Sequence, residues 1–174
     1  TSGIGVTSLG HSHPSLVSAL KNQAEKIWHC SNLFKIESQQ NVADRITDNS
    51  FAKSVFFCNS GTEAVEAGIK VIKKNFNDKN KKKYKIICAK NSFHGRTYAA
   101  ISASGKSKLT EGFEPVLRGF KQVNYNKTKD ILKSIDNETA AIMIETVQGE
   151  GGITPAKKDY LRDIQKIAKD NDIL

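Results

Sequence analysis

Ser54-Val55-Phe56-Phe57-Cys58-Asn59-Ser60-Gly61-Thr62-Glu63-Ala64 is the stretch that decides the fold of this chain. The five residues at 54–58 are rich in β-branched and aromatic side chains, which predicts a buried strand. Ser60, followed three positions later by Glu63, is the sequence pattern of a capping box, so a helix is expected to follow directly. A strand that leads through a short polar turn into a helix is the repeating unit of α/β folds.

The turn at Ser60, Gly61 and Thr62 also has the chemistry of an anion site. The first amides of a helix lack intrahelical partners, and the helix dipole favours negative charge at that end. Gly61 lets a ligand approach the backbone closely, while the two hydroxyl groups add hydrogen-bond donors. The stretch therefore predicts a phosphate-binding cup, although a well-capped helix without a ligand fits these residues equally well.

Two later strands are also predicted to end in polar turns. Residues 84–89 predict a strand that leads into a turn at 90–97, and residues 139–145 predict one that leads into a turn at 146–152. Helices are expected at 14–27, 38–51, 61–76, 98–103, 130–135 and 157–171, whereas 104–128 is interpreted as loop-rich. This alternation indicates an α/β fold, with a mostly parallel sheet in a three-layer αβα arrangement. Right-handed crossovers would place all three turns at one edge of the sheet, where such folds bind ligands.

The second and third turns carry side chains suited to a planar, charged ligand. Phe93 can stack on a flat ring, His94 lies beside it, and Arg96 can grip a carboxylate through two hydrogen bonds. Glu145 ends an apolar strand and needs a partner, whereas Glu150 lies among glycines. Taken singly, these residues also fit a core aromatic, a structural histidine, a surface arginine and solvated carboxylates. Together with the cup they predict a site for a phosphorylated planar cofactor and an amino-acid substrate.

Composition excludes several other classes of protein. Of the 174 residues, 38% are hydrophobic and 26% are charged, as expected for a globular domain, and no apolar run is long enough for a membrane span. The net charge of +9 comes almost entirely from lysine, and a nucleic-acid partner is not expected, because nucleic-acid readers favour arginine. Cys30, Cys58 and Cys88 lack metal-ligand spacing, so reduced thiols in a cytoplasmic protein are expected, with Cys58 and Cys88 in the core.

The order and spacing of the motifs resemble the class III, pyridoxal-phosphate-dependent aminotransferases. The three turns carry the resemblance as Asn59-Ser60-Gly61-Thr62-Glu63-Ala64, Ser92-Phe93-His94-Gly95-Arg96-Thr97 and Ile144-Glu145-Thr146-Val147-Gln148-Gly149-Glu150-Gly151-Gly152. Leu9-Gly10-His11-Ser12-His13-Pro14 and Ser31-Asn32-Leu33-Phe34 fit the same family, and Gly112-Phe113-Glu114-Pro115 resembles its acetylornithine branch. The resemblance covers the whole chain. It implies the large domain of the fold type I transferases, followed by a smaller domain, in a homodimer.

The resemblance also implies roles for individual residues. Ser60, Gly61 and Thr62 would bind the phosphate of pyridoxal 5′-phosphate (PLP). Phe93 would stack on the pyridine ring, with His94 beside it, and Glu145 would help to shape the cofactor site. Arg96 would hold the substrate carboxylate, and Glu150 would pair with a switching arginine from the C-terminal part of the enzyme.

The chain departs from the family pattern at three positions and does not contain two of the family's central residues. Val65 stands where many relatives have Asn, and Thr146 where most have Pro. Lys35 stands where acetylornithine enzymes tend to have Tyr, and because that position lies near the substrate, other amino donors stay open. The acid that pairs with the pyridine nitrogen and the lysine that holds PLP would both follow Leu174. Lys106 and Lys108 fall where the family has ordinary residues, so no catalytic residue is predicted in this chain.

The resemblance predicts a transaminase that moves the amino group of N-acetylornithine to 2-oxoglutarate, in arginine biosynthesis. Ornithine, succinylornithine or 4-aminobutyrate are alternative amino donors, and a non-catalytic module for binding or dimerisation is an alternative from another class. Residues 1–36 are interpreted as an N-terminal segment with dimer and active-site contacts, and 37–174 as part of the large cofactor-binding domain. A truncated large domain of this kind is expected to be inactive alone.

Overall fold

The computed structural model describes residues 2–174, which form helices and short strands. The helices are α1 (Ser2–Gly5), α2 (Pro14–Ala24), α3 (Glu37–Asp48), α4 (Gly61–Asp78), α5 (Tyr98–Ser104), α6 (Ser107–Thr110), α7 (Thr128–Leu132) and α8 (Lys158–Asp170). The strands are β1 (Lys85–Ala89), β2 (Phe120–Val123), β3 (Thr139–Met143), β4 (Val147–Gln148) and β5 (Thr154–Pro155). The chain divides into two compact units, the first ending at Phe57 and the second spanning Cys58–Leu174.

The first unit contains the two predicted amphipathic helices, α2 and α3, but they bury none of their residues. Leu20 is 72% exposed and Val42 is 48% exposed, although each belongs to the apolar residues that recur at helical spacing. Apolar spacing therefore predicts the helices correctly and their burial wrongly. Helical spacing shows which residues share a face of a helix, but it does not show whether another element covers that face.

The predicted strand at 54–58 does not form. Phe56 is 74% exposed, and no strand is assigned to this segment. Side chains of the right type favour a strand, but a strand exists only when a neighbouring strand pairs with its backbone groups. Among residues 2–174, the parallel sheet consists of β2, β1 and β3, and none of these strands pairs with this segment. Cys58 is consequently exposed, so its predicted place in the core is wrong, whereas Cys88 is buried as predicted.

The second unit is built on a parallel sheet with the strand order β2-β1-β3. β1 and β3 are predicted strands, and their parallel pairing confirms the predicted mostly parallel sheet. β2 lies in the segment interpreted as loop-rich, so that interpretation is wrong there; four residues are too few for a periodic signal. The chain ends on the outer side of β3, where the N–H of Leu174 donates to Ala140 O at 2.9 Å and Leu174 O accepts from Ile142 N at 2.8 Å.

Helices cover both faces of this sheet, which confirms the three-layer αβα architecture. On one face, Ile86 and Cys88 pack with Ile69 of α4 and Ala99 of α5. On the other face, a second core cluster is formed by Ile87, Val123, Ile131, Tyr160, Ile164 and Ile167. Neighbouring residues of β1 point to opposite faces because side chains alternate along a strand. Among the described residues, no helix combines the length and the hydropathy that a membrane span needs.

Candidate functional site

The helix start at Ser60 forms as the sequence predicts. Ser60 is the N-cap of α4, and its Oγ accepts a hydrogen bond from the N–H of Glu63 at 3.3 Å. The carboxylate of Glu63 reaches back and accepts from the N–H of Asn59 at 2.6 Å, one residue before the position that a standard capping box uses. The cap is thus maintained by local contacts, although the strand expected before it is absent.

The N-terminal end of α4 is open to a ligand. A β-carbon added to Gly61 would meet no atom within 4 Å. The amides of the first helical turn have no intrahelical partners, and the helix dipole adds partial positive charge at this end. The hydroxyl of Thr62 has only a distant partner, Thr97 Oγ1 at 3.5 Å. Ser60, Gly61 and Thr62 therefore form a surface that can bind an anion.

The second turn packs directly on this cup. Gly95 has a φ of +116°, and a β-carbon at this position would lie 2.2 Å from Thr62 Oγ1. Only glycine satisfies both the backbone angle and the close approach. Thr97 then caps α5, since its side chain accepts from the N–H of Ala100 at 3.3 Å. The turns that follow the missing strand and β1 are thus brought together, as the sequence predicts.

Phe93 and Arg96 contact each other within the second turn. The guanidinium carbon of Arg96 lies 5.5 Å from the centroid of the Phe93 ring, which is a cation–π contact. Phe93 is half-buried, whereas Arg96 is exposed. The pair presents an aromatic ring and a cation at one place, and the guanidinium keeps donors available for a carboxylate.

His94 is buried and lacks a hydrogen-bond partner at one nitrogen. Its side chain is 8% exposed, and its Nε2 has no partner among residues 2–174. Burial lowers the pKa of this imidazole below its ordinary value, so the neutral form is favoured. A buried polar atom without a partner is uncommon in folded proteins, so Nε2 is a candidate contact for a ligand.

Glu145 joins the second and third turns. Its carboxylate accepts a hydrogen bond from the N–H of Phe93 at 3.3 Å, and its backbone carbonyl accepts from the hydroxyl of Tyr125 at 2.7 Å. Burial raises the pKa of the Glu145 carboxyl, while the bond from Phe93 and the charge of Lys106 act in the opposite direction. The partner that the sequence required for this carboxylate is therefore a backbone amide of the neighbouring turn.

The third turn is fastened by a buried amide. Gln148 is 3% exposed, and its Nε2 donates to Lys90 O at 2.9 Å and to Ser92 Oγ at 3.2 Å. Glu150 lies at the exposed end of the turn, where its carbonyl accepts from Lys106 Nζ at 3.0 Å. Lys106, a lysine that the sequence argued against as a catalytic group, thus holds the loop that carries Glu150.

Sequence reasoning missed the connecting role of the residues that join the turns. Thr97, Tyr125 and Gln148 make these connections, and Glu66 accepts from the Thr97 hydroxyl at 2.5 Å. Thr97 and Gln148 lie inside the turns, so their positions in the sequence could have indicated a role at the site. The positions of Glu66 and Tyr125 give no such indication. Val65, a departure from the family pattern, packs against the apolar cluster around Ile69.

The lysine-rich end of α4 is separate from these turns. A cleft of about 1210 Å³ lies there, and none of the predicted site residues lines it. Its lysines are Lys70, Lys73, Lys74, Lys81, Lys82 and Lys83. Lys74 pairs with Asp78, and the cleft also contains Glu138, so part of the positive charge is balanced.

Comparison with known proteins places this chain in a family. The sequence profile described as Aminotransferase class-III matches residues 1–174. The chain belongs to the class III aminotransferases. It is 50% identical to the acetylornithine aminotransferase of Caldanaerobacter subterraneus subsp. tengcongensis over 99% of this chain and 44% of that protein. It is 48% identical to the acetylornithine aminotransferase of Aquifex aeolicus, again over 99% of this chain and 46% of the relative.

Solved structures of aminotransferases share the fold. An ornithine aminotransferase from Toxoplasma gondii, described with partial occupancy of PLP at its active site, superimposes with a TM-score of 0.92 at 27% identity, over 99% of this chain and 42% of that one. The chain therefore has the α/β fold of the PLP-dependent aminotransferases, and it spans less than half the length of the curated relatives it matches.

Proposed function

We propose that this chain forms the cofactor-binding part of a PLP-dependent aminotransferase that transfers the amino group of N-acetylornithine to 2-oxoglutarate, in arginine biosynthesis. The observation that carries the proposal is the packing of Gly95 on Thr62, which is so close that an added β-carbon would lie 2.2 Å from Thr62 Oγ1. It puts an anion cup next to a turn with an aromatic ring, a buried imidazole and an arginine. The 50% identity to an acetylornithine aminotransferase supports the choice of amino donor.

The residues present fit the cofactor. Ser60, Gly61 and Thr62 would hold the phosphate, because their helix end is open and the Thr62 hydroxyl has only a distant partner at 3.5 Å. Phe93 would pack against the pyridine ring. His94 would donate or accept through Nε2, which has no partner within residues 2–174. When bound, PLP withdraws electrons from the substrate carbon that bears the amino group, so that this carbon can lose a proton.

Glu145 would set the position of the ring site without touching the reacting atoms. Its carboxylate holds the N–H of Phe93, and its carbonyl holds the hydroxyl of Tyr125. Because both bonds involve Glu145, movement of the third turn would displace the aromatic ring of the second. The raised pKa of this carboxyl reflects the burial that the arrangement requires.

Arg96 and Glu150 would contact the substrate side of the site. Arg96 is exposed and presents a planar guanidinium, which suits a carboxylate of the amino donor or of 2-oxoglutarate. Glu150 is exposed at the end of a loop that Lys106 supports through a backbone carbonyl. That support leaves the carboxylate of Glu150 able to turn toward a cation.

The remaining assignments concern the whole protein. We propose that the lysine that binds PLP lies outside this chain, that the enzyme is a cytoplasmic homodimer, and that it uses neither a nucleic acid nor a membrane. Residues 1–36 would be an N-terminal segment with dimer and active-site contacts, and 37–174 would belong to the large domain. Ornithine is the second candidate donor, because Lys35 replaces the usual Tyr and an ornithine aminotransferase shares the fold with a TM-score of 0.92.

A donor panel tests the proposal. The full-length protein that contains this chain should be loaded with PLP and assayed with 2-oxoglutarate and N-acetylornithine, ornithine, succinylornithine or 4-aminobutyrate. The highest kcat/KM is expected with N-acetylornithine. A higher value with ornithine would replace the donor but keep the reaction, and absence of transfer from all four donors would overturn the function.

A further inference from the structure

Glu66 lies on the face of α4 that carries Thr62, one helical turn further along. Residues four apart on a helix are neighbours, so the Glu66 carboxylate lies beneath the anion cup. It is half-buried, and within residues 2–174 it forms no ion pair. Its hydrogen-bond partner is instead a neutral hydroxyl on another element, because Thr97 Oγ1 donates to Glu66 Oε1 at 2.5 Å.

The hydroxyl of Thr97 is fully used in this arrangement. A threonine hydroxyl has one proton and two acceptor sites, and an ionised carboxylate can only accept. The proton of Thr97 therefore goes to Glu66. One acceptor site takes the N–H of Ala100 at 3.3 Å, and the other faces Thr62 Oγ1 at 3.5 Å. Thr97 cannot turn away from Glu66 without leaving a half-buried carboxylate unpaired, which is unfavourable.

This hydrogen bond fixes the spacing between two parts of the site. Thr62 belongs to α4, whereas Phe93 and His94 belong to the turn before α5. The packing of Gly95 on Thr62 sets how closely the two can approach, since a β-carbon would lie 2.2 Å away. The Thr97–Glu66 bond acts in the other direction and keeps them from separating. We propose that Glu66 is a positioning residue that holds the phosphate cup and the ring-binding turn in register, an inference that rests on the proposed function.

The proposal predicts that loss of the Thr97–Glu66 bond weakens the binding only of ligands that contact both the phosphate cup and the ring-binding turn. In the full-length apoprotein, Glu66→Leu should weaken PLP binding about five- to tenfold, the equivalent of one hydrogen bond. Pyridoxal reaches only the ring-binding turn and inorganic phosphate reaches only the cup, so neither depends on the spacing. Pyridoxal affinity should change less than about twofold. Phosphate affinity should stay equal or rise, because Glu66→Leu removes a negative charge near the cup.

Matched variants separate positioning from a general effect on the fold. Glu66→Gln keeps an oxygen that can accept from Thr97, so its PLP affinity should lie within about twofold of the wild type. Thr97→Val should weaken PLP binding at least as much as Glu66→Leu, because it also removes the cap of α5. The double variant Glu66→Leu/Thr97→Val should be no weaker than Thr97→Val alone, because that single variant already lacks the bond to Glu66. Thr97→Val and Glu66→Gln carry the test if Glu66→Leu does not fold.

Equilibrium dialysis of the apoprotein with each of the three ligands gives the affinities, and far-UV circular dichroism checks folding. Unchanged PLP affinity in Glu66→Leu and Thr97→Val would overturn the positioning role and leave the proposed function intact. A loss of affinity for inorganic phosphate as large as the loss for PLP would also overturn the positioning role, because Glu66 would then support only the cup. A wild-type protein that fails to bind PLP would overturn the proposed function, and with it this inference.

Discussion

Gly95 lies against Thr62 so closely that a β-carbon on Gly95 would come within 2.2 Å of Thr62 Oγ1. Two turns that are far apart in the sequence therefore meet without any intervening side chain. The φ of +116° at Gly95 adds a second requirement, because other residues rarely adopt that angle. The absence of a side chain at Gly95 is therefore what allows the cup and the ring-binding turn to approach each other this closely.

Gly95→Ala should consequently destabilise the protein by about 2 kcal/mol or more, since it combines overpacking with backbone strain. The free energy of unfolding from urea denaturation measures the effect. Gly149→Ala is the matched control, because a β-carbon at Gly149 meets no atom within 4 Å and should cost little. Equal destabilisation by the two changes would contradict the close packing at Thr62.

Thr62→Val should weaken the binding of PLP to the full-length apoprotein by about 1 to 3 kcal/mol, the range for a hydrogen bond to a charged group. The expectation follows from the hydroxyl of Thr62, whose partner in the structure is distant at 3.5 Å. Thr62→Ser keeps the hydroxyl and should bind nearly as well as the wild type. If Thr62→Val binds PLP with unchanged affinity, Thr62 serves only the helix end.

His94 should make stability depend on pH. Burial lowers its pKa in the folded state. Above about pH 6.5 the imidazole is mostly neutral in the folded and the unfolded state, so its ionisation does not change the free energy of unfolding. As the pH falls from about 6.5 through the lowered folded pKa, the unfolded chain takes up a proton first, and the folded state loses stability by at most about 1.4 kcal/mol per pH unit. His94→Gln lacks this proton uptake. Denaturation curves between neutral and mildly acidic pH should show a steeper fall for the wild type, and parallel curves would refute the burial of His94.

The 174-residue chain alone should not catalyse amino transfer. The proposed function places the PLP-binding lysine outside it, and Lys106, beside the third turn, already donates to the carbonyl of Glu150. The chain is mixed with PLP, reduced with borohydride and digested for mass spectrometry, in parallel with an assay of transfer. A single reduced lysine together with turnover is the result that would contradict this expectation.

Local patterns in the sequence predicted local structure well. The cap formed by Ser60 and Glu63 depends on residues three positions apart, so it is visible in the sequence and present in the structure. Parallel strands β1 and β3 were predictable because each is a continuous apolar run buried on both faces. The three turns at the predicted sheet edge follow from the same pattern.

Long-range partners were not predictable in this way. The segment at 54–58 has the composition of a strand but finds no pairing strand among the described residues, so Phe56 is exposed. The apolar face of α2 is spaced for burial, yet nothing in the sequence states what covers it. The bond between Thr97 and Glu66 joins residues 31 positions apart, and no periodicity reports such a contact.

The last residue of the chain has a consequence for whatever is joined to it. Leu174 already forms two backbone hydrogen bonds along the free side of β3, to Ala140 and Ile142. Its predecessor Ile173 is buried. Side chains alternate along a strand, so the register set by these bonds determines which residues of a segment added after Leu174 would face each helical layer. A peptide joined to Leu174 would therefore start in a fixed register beside β3. A designed fusion at this point would need apolar residues at every second position that faces a helical layer.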